Sequence, residues 1–213
     1  MSGKIENLLK RANESTAADS SVTSSTRLLA TENEAESIFF NLKKKLFRIE
    51  HWNNESEITS FSLYSADGIV QPQKTAAAGD YIKTTMPGSG KDDWIKIVEI
   101  IESPDEFVLT VQPSRDPTDE SDETTVSHFF AAGSTNNFCL QKKGVKINFY
   151  VIGLDEKSNT ENTGGILETV RNFATANIGY FFGIQKAQWQ TFCDNFIESQ
   201  ITTARGGGLI CSP

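Results

Sequence analysis

The stretch VKINFYVI, residues 145–152, carries the clearest β-strand pattern in the chain. Its apolar side chains recur at every second position, at Val145, Ile147, Phe149 and Val151. The polar residues Lys146 and Asn148 stand between them. Because successive side chains of a strand point to opposite faces, this pattern predicts a half-buried strand with one face on a core.

Further strand patterns precede this stretch at close spacing, separated by turn signals at 66–68 and 103–106. The candidate strands are 58–63, 69–70, 80–86, 94–101, 107–112, 124–131 and 137–142. Parallel strands need long crossover connections, so these short connections predict antiparallel meanders. We expect one curved antiparallel sheet of about seven to eight strands.

Helical spacing returns on both sides of the strands. Thr31 and Glu34 form a capping-box pair, followed by an apolar stripe at Ile38, Phe39, Leu42, Leu46 and Ile49. A second stripe, over 166–178, is interrupted by Gly179 and Gly183, and a further helix carries Trp189, Phe192, Cys193 and Phe196. The pattern predicts an α+β fold in which an N-terminal helix and a broken C-terminal helix pack on one face of the sheet.

The first residues predict a short amphipathic helix, since Ile5, Leu8 and Leu9 recur at helical spacing. So short a helix is not stable alone in water, and we expect these three residues to dock on a partner. The Ser/Thr-rich residues that follow predict a linker. The expected division is a helix plus flexible linker at 1–30, a single α+β domain at 31–200 and a flexible Gly-rich tail at 201–213.

The order of helix, many strands and C-terminal helix over 31–199 resembles the helix-grip fold of the START and Bet v 1-like superfamily. In that fold a curved sheet wraps a long C-terminal helix and often leaves an apolar cavity, so the resemblance implies a small apolar ligand. Gly179 and Gly183 depart from the pattern because they interrupt the long helix. The phrases GDYIKTTMPGSG, SHFF, VRN and QW also resemble uncharacterised bacterial proteins, a likeness that implies no function.

The charge balance argues against nucleic acid as a partner. Lys and Arg number 20 against 28 Asp and Glu, a net charge of −8, whereas nucleic acids and anionic membranes attract clustered positive charge. The strongest basic run is Lys43, Lys44 and Lys45, followed by Arg48. A solvated helix face is its ordinary interpretation, and an interaction patch is the alternative.

Cysteine usage and hydropathy predict a cytoplasmic protein. Cys139, Cys193 and Cys211 are too few and too widely spaced for a disulfide framework or a zinc site, and free thiols fit a reducing compartment. The N-terminus lacks the apolar run of a signal peptide. No stretch approaches the roughly 18 apolar residues of a membrane helix, so we expect no membrane insertion.

Two motifs suggest cofactors but depart from the required pattern. The loop PGSGK at 87–91 resembles a phosphate-binding loop, yet Thr85 and Asp92 stand where Gly and Ser or Thr are needed. The acidic stretch 116–123 lacks the spacing and the central glycine of a calcium-binding loop. We therefore expect neither a metal ion nor another cofactor.

Three residues are candidates for binding a ligand. His128 lies in a candidate strand on the same face as Val126 and Phe130, so it points into a core or a cavity. Arg171 lies inside an apolar helical stripe, where it clamps an anion or pairs with a carboxylate. Trp94 is either a core residue or part of a cavity wall.

Three functional hypotheses follow. The first is a non-catalytic interaction module, an adaptor or a subunit of a larger bacterial assembly, which docks through its N-terminal helix on a protein partner or on itself. The second is a helix-grip carrier of a small apolar ligand. The third is an enzyme that uses His128 and Arg171 in the same cavity.

Overall fold

The structure, a computed structural model, describes residues 3–15, 20–57, 59–85, 92–119, 133–156 and 187–199. Its helices are α1 (Lys4–Glu14), α2 (Glu32–Leu46), the 3₁₀ helix η1 (Ile49–Asn54) and α3 (187–198). Its strands are β1 (Ser20–Leu28), β2 (Ser60–Tyr64), β3 (Tyr81–Thr85), β4 (Asp92–Glu102), β5 (Glu106–Pro113), β6 (Thr135–Lys143) and β7 (Lys146–Leu154).

The described strands form one antiparallel sheet in the order β1-β7-β6-β5-β4-β3-β2. Strands β2 to β6 each pair with the next strand along the chain, as the short connections predict. The exception is β1, which pairs with β7 at one edge. The predicted α+β class and the antiparallel sheet of about seven to eight strands are confirmed, with seven strands among the described residues. The candidate strand 124–131 and the break at Gly179 and Gly183 lie outside the described residues.

The strand β1 corrects a prediction, because its residues were expected to belong to a flexible linker. Val22 pairs with Ile152 and Ser24 with Tyr150 along the whole length of β7. Local Ser/Thr content favours a linker, but β7 offers a complete row of backbone donors and acceptors to a neighbouring strand, and tertiary context overrides weak strand propensity. The Thr26 hydroxyl adds a 2.9 Å hydrogen bond to Asn148 Oδ1.

The capping and the apolar stripe of α2 are confirmed. Thr31 is the N-cap residue, and its Oγ1 accepts a hydrogen bond from the Glu34 N–H at 3.2 Å. The Glu34 carboxylate in turn accepts from the Ala30 N–H at 3.1 Å. Phe39 and Leu46 are fully buried and Leu42 is nearly so, which packs α2 against the sheet.

The sheet has two covered faces. One face, covered by α2 and α3, carries the larger core, to which β5 contributes Phe107, Leu109 and Val111. The alternate side chains of the same strands point to the other face. There Val108 and Cys139 are fully buried against residues of α1. We call these the α2/α3 face and the α1 face.

Candidate interaction surface

The predicted docking residues lie on the chain's own sheet. Ile5 is fully buried, Leu8 is 4% exposed and Leu9 packs alongside them, half-buried. Together with Ala12 they cover β5, β6 and β7 on the α1 face. In this arrangement a partner can reach the apolar side of α1 only if the helix leaves the sheet.

An apolar patch lies beneath α1. It consists of the buried side chains of Val108, Cys139, Ile152 and Leu154, and we call it the α1 patch. One face of an antiparallel sheet is commonly polar and exposed to solvent. An apolar patch on the second face is therefore stable only when another element buries it. Burial raises the pKa of the Cys139 thiol well above its usual range, so this cysteine is a packed side chain and not a nucleophile.

Three ion pairs orient α1 on this patch. Lys4 Nζ lies 2.8 Å from Glu99 Oε2, Lys143 Nζ lies 3.3 Å from Glu6 Oε1, and Arg11 lies 3.5 Å from Asp155. All these side chains are more than a third exposed. Exposed pairs contribute about 0–1 kcal/mol each, so they select the orientation of α1, while the apolar contact supplies most of its affinity.

Aromatic rings pack together on the opposite, α2/α3 face. The Trp52 ring lies 4.5 Å from Phe138, and Phe149 stacks on Phe196 with centroids 4.0 Å apart. Phe192 contacts all four of these rings and also the rings of Phe61 and Trp189. Such separations are those of rings in direct contact, so over the described residues this end of the face is filled core. The predicted apolar stripe of α3 is thereby confirmed.

A buried ion pair closes this core. Lys45 Nζ lies 2.7 Å from Glu55 Oε1 and donates to the Phe196 carbonyl at 2.8 Å. Ser199 donates to the Glu55 carboxylate at 2.9 Å and also contacts the Lys45 ammonium. Burial lowers the pKa of Lys45, and the hydrogen bond and charge of Glu55 oppose that shift. The basic run is therefore not one surface, since Lys45 belongs to the core.

Sequence reasoning overlooked this pair although a signal was present. Lys45 falls within the apolar stripe of α2, three residues after Leu42 and next to Leu46. A lysine at that position is buried and needs a partner. Its partner Glu55 follows η1, and nothing in the local pattern marks it.

The predicted ligand-binding residues are placed only in part. Trp94 is 3% exposed and its ring packs against Tyr64 at 4.9 Å. It alternates with Ile95, which belongs to the α2/α3 core, so Trp94 lies on the other side of the sheet. His128 and Arg171 lie outside the described residues, and the ligand-binding role of all three stays a prediction.

The second described cysteine, Cys193, is also a packed side chain of the core. Burial, aided by the Asp194 charge, raises the pKa of the Cys193 thiol to about 12. Within the described ranges no three His, Cys, Asp or Glu side chains come together in a way that holds a metal ion. Nor does any described helix have the length and apolar character needed to cross a membrane.

No protein-family model and no curated protein matches the chain. Among solved structures it is similar to a hypothetical protein from Helicobacter pylori, with a TM-score of 0.51 and 10% identity over 83% of this chain and 86% of that one. It is also similar to a Thermus thermophilus protein (TM-score 0.40, 10% identity, 84% and 95% coverage) and to Ara h 8.0201 (TM-score 0.38, 10% identity, 84% and 99% coverage). The first likeness concerns the fold alone, and the other two carry no argument because their TM-scores are below 0.5.

Proposed function

We propose that this chain is a non-catalytic interaction module, an adaptor or assembly subunit, that docks through α1 and the α1 patch. The observation that carries the proposal is the second apolar cluster, in which a separate N-terminal helix covers the side of the sheet opposite the main core. A cytoplasmic location stays part of the proposal.

The contact between α1 and the sheet is small enough to open. The helix has 11 residues and buries three apolar side chains, Ile5, Leu8 and Ala12. Full burial of an Ile or Leu side chain contributes about 1.5–3 kcal/mol, and ordering a short helix opposes that gain. The balance is a few kcal/mol at most, so a partner that offers an equivalent apolar surface can compete for either side of the contact.

A second copy of this chain is the occupant that best fits the patch. Exchange of α1 between two copies reproduces every apolar contact and the three ion pairs, including Lys4 with Glu99. Exchange of an identical element between two copies is a low-cost route to a dimer. Five residues, 15–19, connect α1 to β1.

The carrier hypothesis remains the alternative. Its support is the helix-grip-like fold, whereas the rings around Trp52 and Phe192 occupy the described end of the α2/α3 face. A ligand would lie elsewhere on that face. The enzyme hypothesis depends on His128 and Arg171 and has no support among the described residues.

Thiol labelling combined with solution mass tests the module. In a Cys211→Ser background, Cys139 reports on the α1 patch and Cys193 on the main core, since both are buried. We expect Cys139 to react with a maleimide faster than Cys193, and the protein to dimerise as its concentration rises. Leu8→Asp should make Cys139 react with the maleimide as fast as an exposed thiol, and it should abolish the dimer. The matched control is Asn7→Asp, which adds the same charge at an exposed position of α1.

The outcomes separate the two parts of the proposal. A monomer at every concentration, with Cys139 as protected as Cys193, overturns the proposal because α1 is then a fixed part of the fold. A monomer whose Cys139 is readily labelled overturns pairing with a second copy but supports an α1 patch that opens for another protein. Native mass spectrometry of protein from its host cells would then identify that protein.

A further inference from the structure

An open depression of about 440 Å³ lies between α2, η1, the connection from β2 to β3, and the end of β4. It is lined by Lys43, Lys44, Phe47, Arg48, His51, Thr75 and Glu102. Its volume falls within the roughly 300–1,000 Å³ of small-molecule sites. Its walls contain no residue of α1 or of the α1 patch, so it does not depend on the role proposed for α1.

The charge of this depression opposes that of the whole protein. The chain carries a net charge of −8, yet the walls contain three basic side chains, Lys43, Lys44 and Arg48, against the single carboxylate of Glu102. Cations near a helix C-terminus stabilise its dipole, and this accounts for Lys43 and Lys44 in the last turn of α2. It does not account for Arg48, which lies beyond the helix, or for His51 in η1.

The cations differ in what they already bind. Lys43 pairs with Glu102, and its ammonium lies 4.7 Å from the centre of the Phe107 ring. Lys44 and Arg48 are exposed, and among the described residues neither side chain has a hydrogen-bond or carboxylate partner. The Glu102 charge is therefore neutralised locally, and two cations remain free to bind an anion.

We propose that this depression binds the phosphate group of a small organic phosphate. A guanidinium and an ammonium in one depression suit the several oxygens of a phosphate, since arginine binds two of them at once and lysine adds a point charge. The Thr75 hydroxyl is a further donor on the facing wall, and Phe47 supplies an apolar surface for the organic part. The remaining volume accommodates more than a bare phosphate ion.

Pyrophosphate is the probe for the test. Full-length ¹⁵N-labelled protein is titrated with sodium pyrophosphate at constant ionic strength, with sodium chloride as the reference. We expect the amide signals of 44–51 and Thr75 to shift and saturate. Lys44→Gln with Arg48→Gln should raise the dissociation constant by about tenfold or more, because two charge-assisted hydrogen bonds are lost. The matched control removes two exposed cations elsewhere, Lys10→Gln with Lys146→Gln, and should leave the constant within about twofold.

Three results would overturn the proposal. The first is a linear shift equal to that in chloride, and the second is an equal loss of affinity in the control variant. The third concerns the source of the phosphate. If the protein co-sediments with phosphatidylglycerol vesicles and pyrophosphate fails to release it, the site belongs to a lipid surface and not to a soluble organic phosphate.

Discussion

The Lys45 ammonium and the Glu55 carboxylate lie 2.7 Å apart in the core, each side chain only 3% exposed. The pair joins the last turn of α2 to the residue after η1, and Lys45 also binds the carbonyl of Phe196 in α3. Asn195 of α3 donates to the Glu55 carbonyl at 3.1 Å. A single buried charge pair thus fixes the relative positions of three helical elements, and α3 is the element that closes the main core.

Removing one member of this pair should be strongly destabilising. Lys45→Met leaves the Glu55 carboxylate buried without its counter-charge, which costs about 3–5 kcal/mol. The double variant Lys45→Met with Glu55→Leu should recover much of that loss, because no charge remains buried. Urea unfolding followed by circular dichroism measures both free energies of unfolding.

The neighbouring lysine provides the control. Lys43→Met removes an exposed pair with Glu102 and should change the free energy of unfolding by less than about 1 kcal/mol. If the double variant is as unstable as Lys45→Met alone, the loss comes from packing of the lysine stem, and the importance we assign to the charge pair is wrong.

Asn53 pairs with the backbone of Phe61 on the side of β2 that faces away from β3. Its Oδ1 accepts from the Phe61 N–H at 2.6 Å, and its Nδ2 donates to the Phe61 carbonyl at 3.0 Å. The side-chain amide thus satisfies both backbone groups of Phe61, as a neighbouring strand would. Asn53→Ala should cost about 1–3 kcal/mol, because it leaves both backbone groups unpaired.

Hydrogen exchange gives the most direct measurement of this contact. The Phe61 amide should exchange markedly faster in Asn53→Ala than in the wild type. Asn54→Ala is the control, since Asn54 is exposed and its side chain has no hydrogen bond among the described residues. Equal exchange rates at Phe61 in both variants would show that η1 as a whole, and not the Asn53 amide, covers this side of β2.

These contacts explain which parts of the fold the sequence predicts. The alternation in 145–152 and the stripe of α2 report directly on which side is buried, so β7 and α2 were predicted correctly. The strand β1 was missed because its Ser/Thr-rich sequence carries no alternation of its own and is ordered by β7. Asn53 was missed because an amide in a turn resembles any other polar residue.

The α1 patch and the basic depression also differ in how far the sequence predicts them. The apolar side of α1 was visible in Ile5 and Leu8, but its place on the sheet was not. A signal existed in 107–112, where Val108 is apolar on the face opposite to Phe107 and Leu109. Apolar residues on both faces indicate a strand covered on both sides. The basic depression combines Arg48, Thr75 and Glu102, which are distant in sequence, so no local pattern predicts it.

The N-cap of α2 gives a prediction of moderate size. The Thr31 hydroxyl satisfies the Glu34 N–H, one of the backbone donors that a helix start leaves unpaired. Thr31→Ala should lower the free energy of unfolding by about 1 kcal/mol, whereas Thr31→Ser keeps the hydroxyl and should lower it far less. Equal losses in chemical denaturation would mean that the threonine methyl, and not its hydroxyl, stabilises the helix start.

Asp93 should make stability depend on pH. It alternates with Trp94 and lies on the same face as Ile95, toward the main core. Burial, with a smaller contribution from the Asp92 charge, raises the pKa of Asp93 to about 6. An unfolded aspartate titrates near pH ~3.9. Between these values the folded protein retains a proton that the unfolded chain has released. The free energy of unfolding therefore falls as pH rises through this window, and above it the contribution of Asp93 no longer changes.

Asp93→Asn removes this dependence, because an amide is neutral at every pH. We expect the variant to match the wild type near pH 4 and to be more stable by about 1–2 kcal/mol at pH 7, a value reduced for the partial exposure of the carboxyl. Asp92→Asn is the control with the opposite sign. The hydrogen bonds from Lys83 and Thr85 lower the pKa of Asp92, so its charged form stabilises the fold and its loss should matter at pH 7 but not at acid pH. An effect of Asp93→Asn that is the same at pH 4 and pH 7 would show that the carboxyl is solvated and that its pKa is not raised.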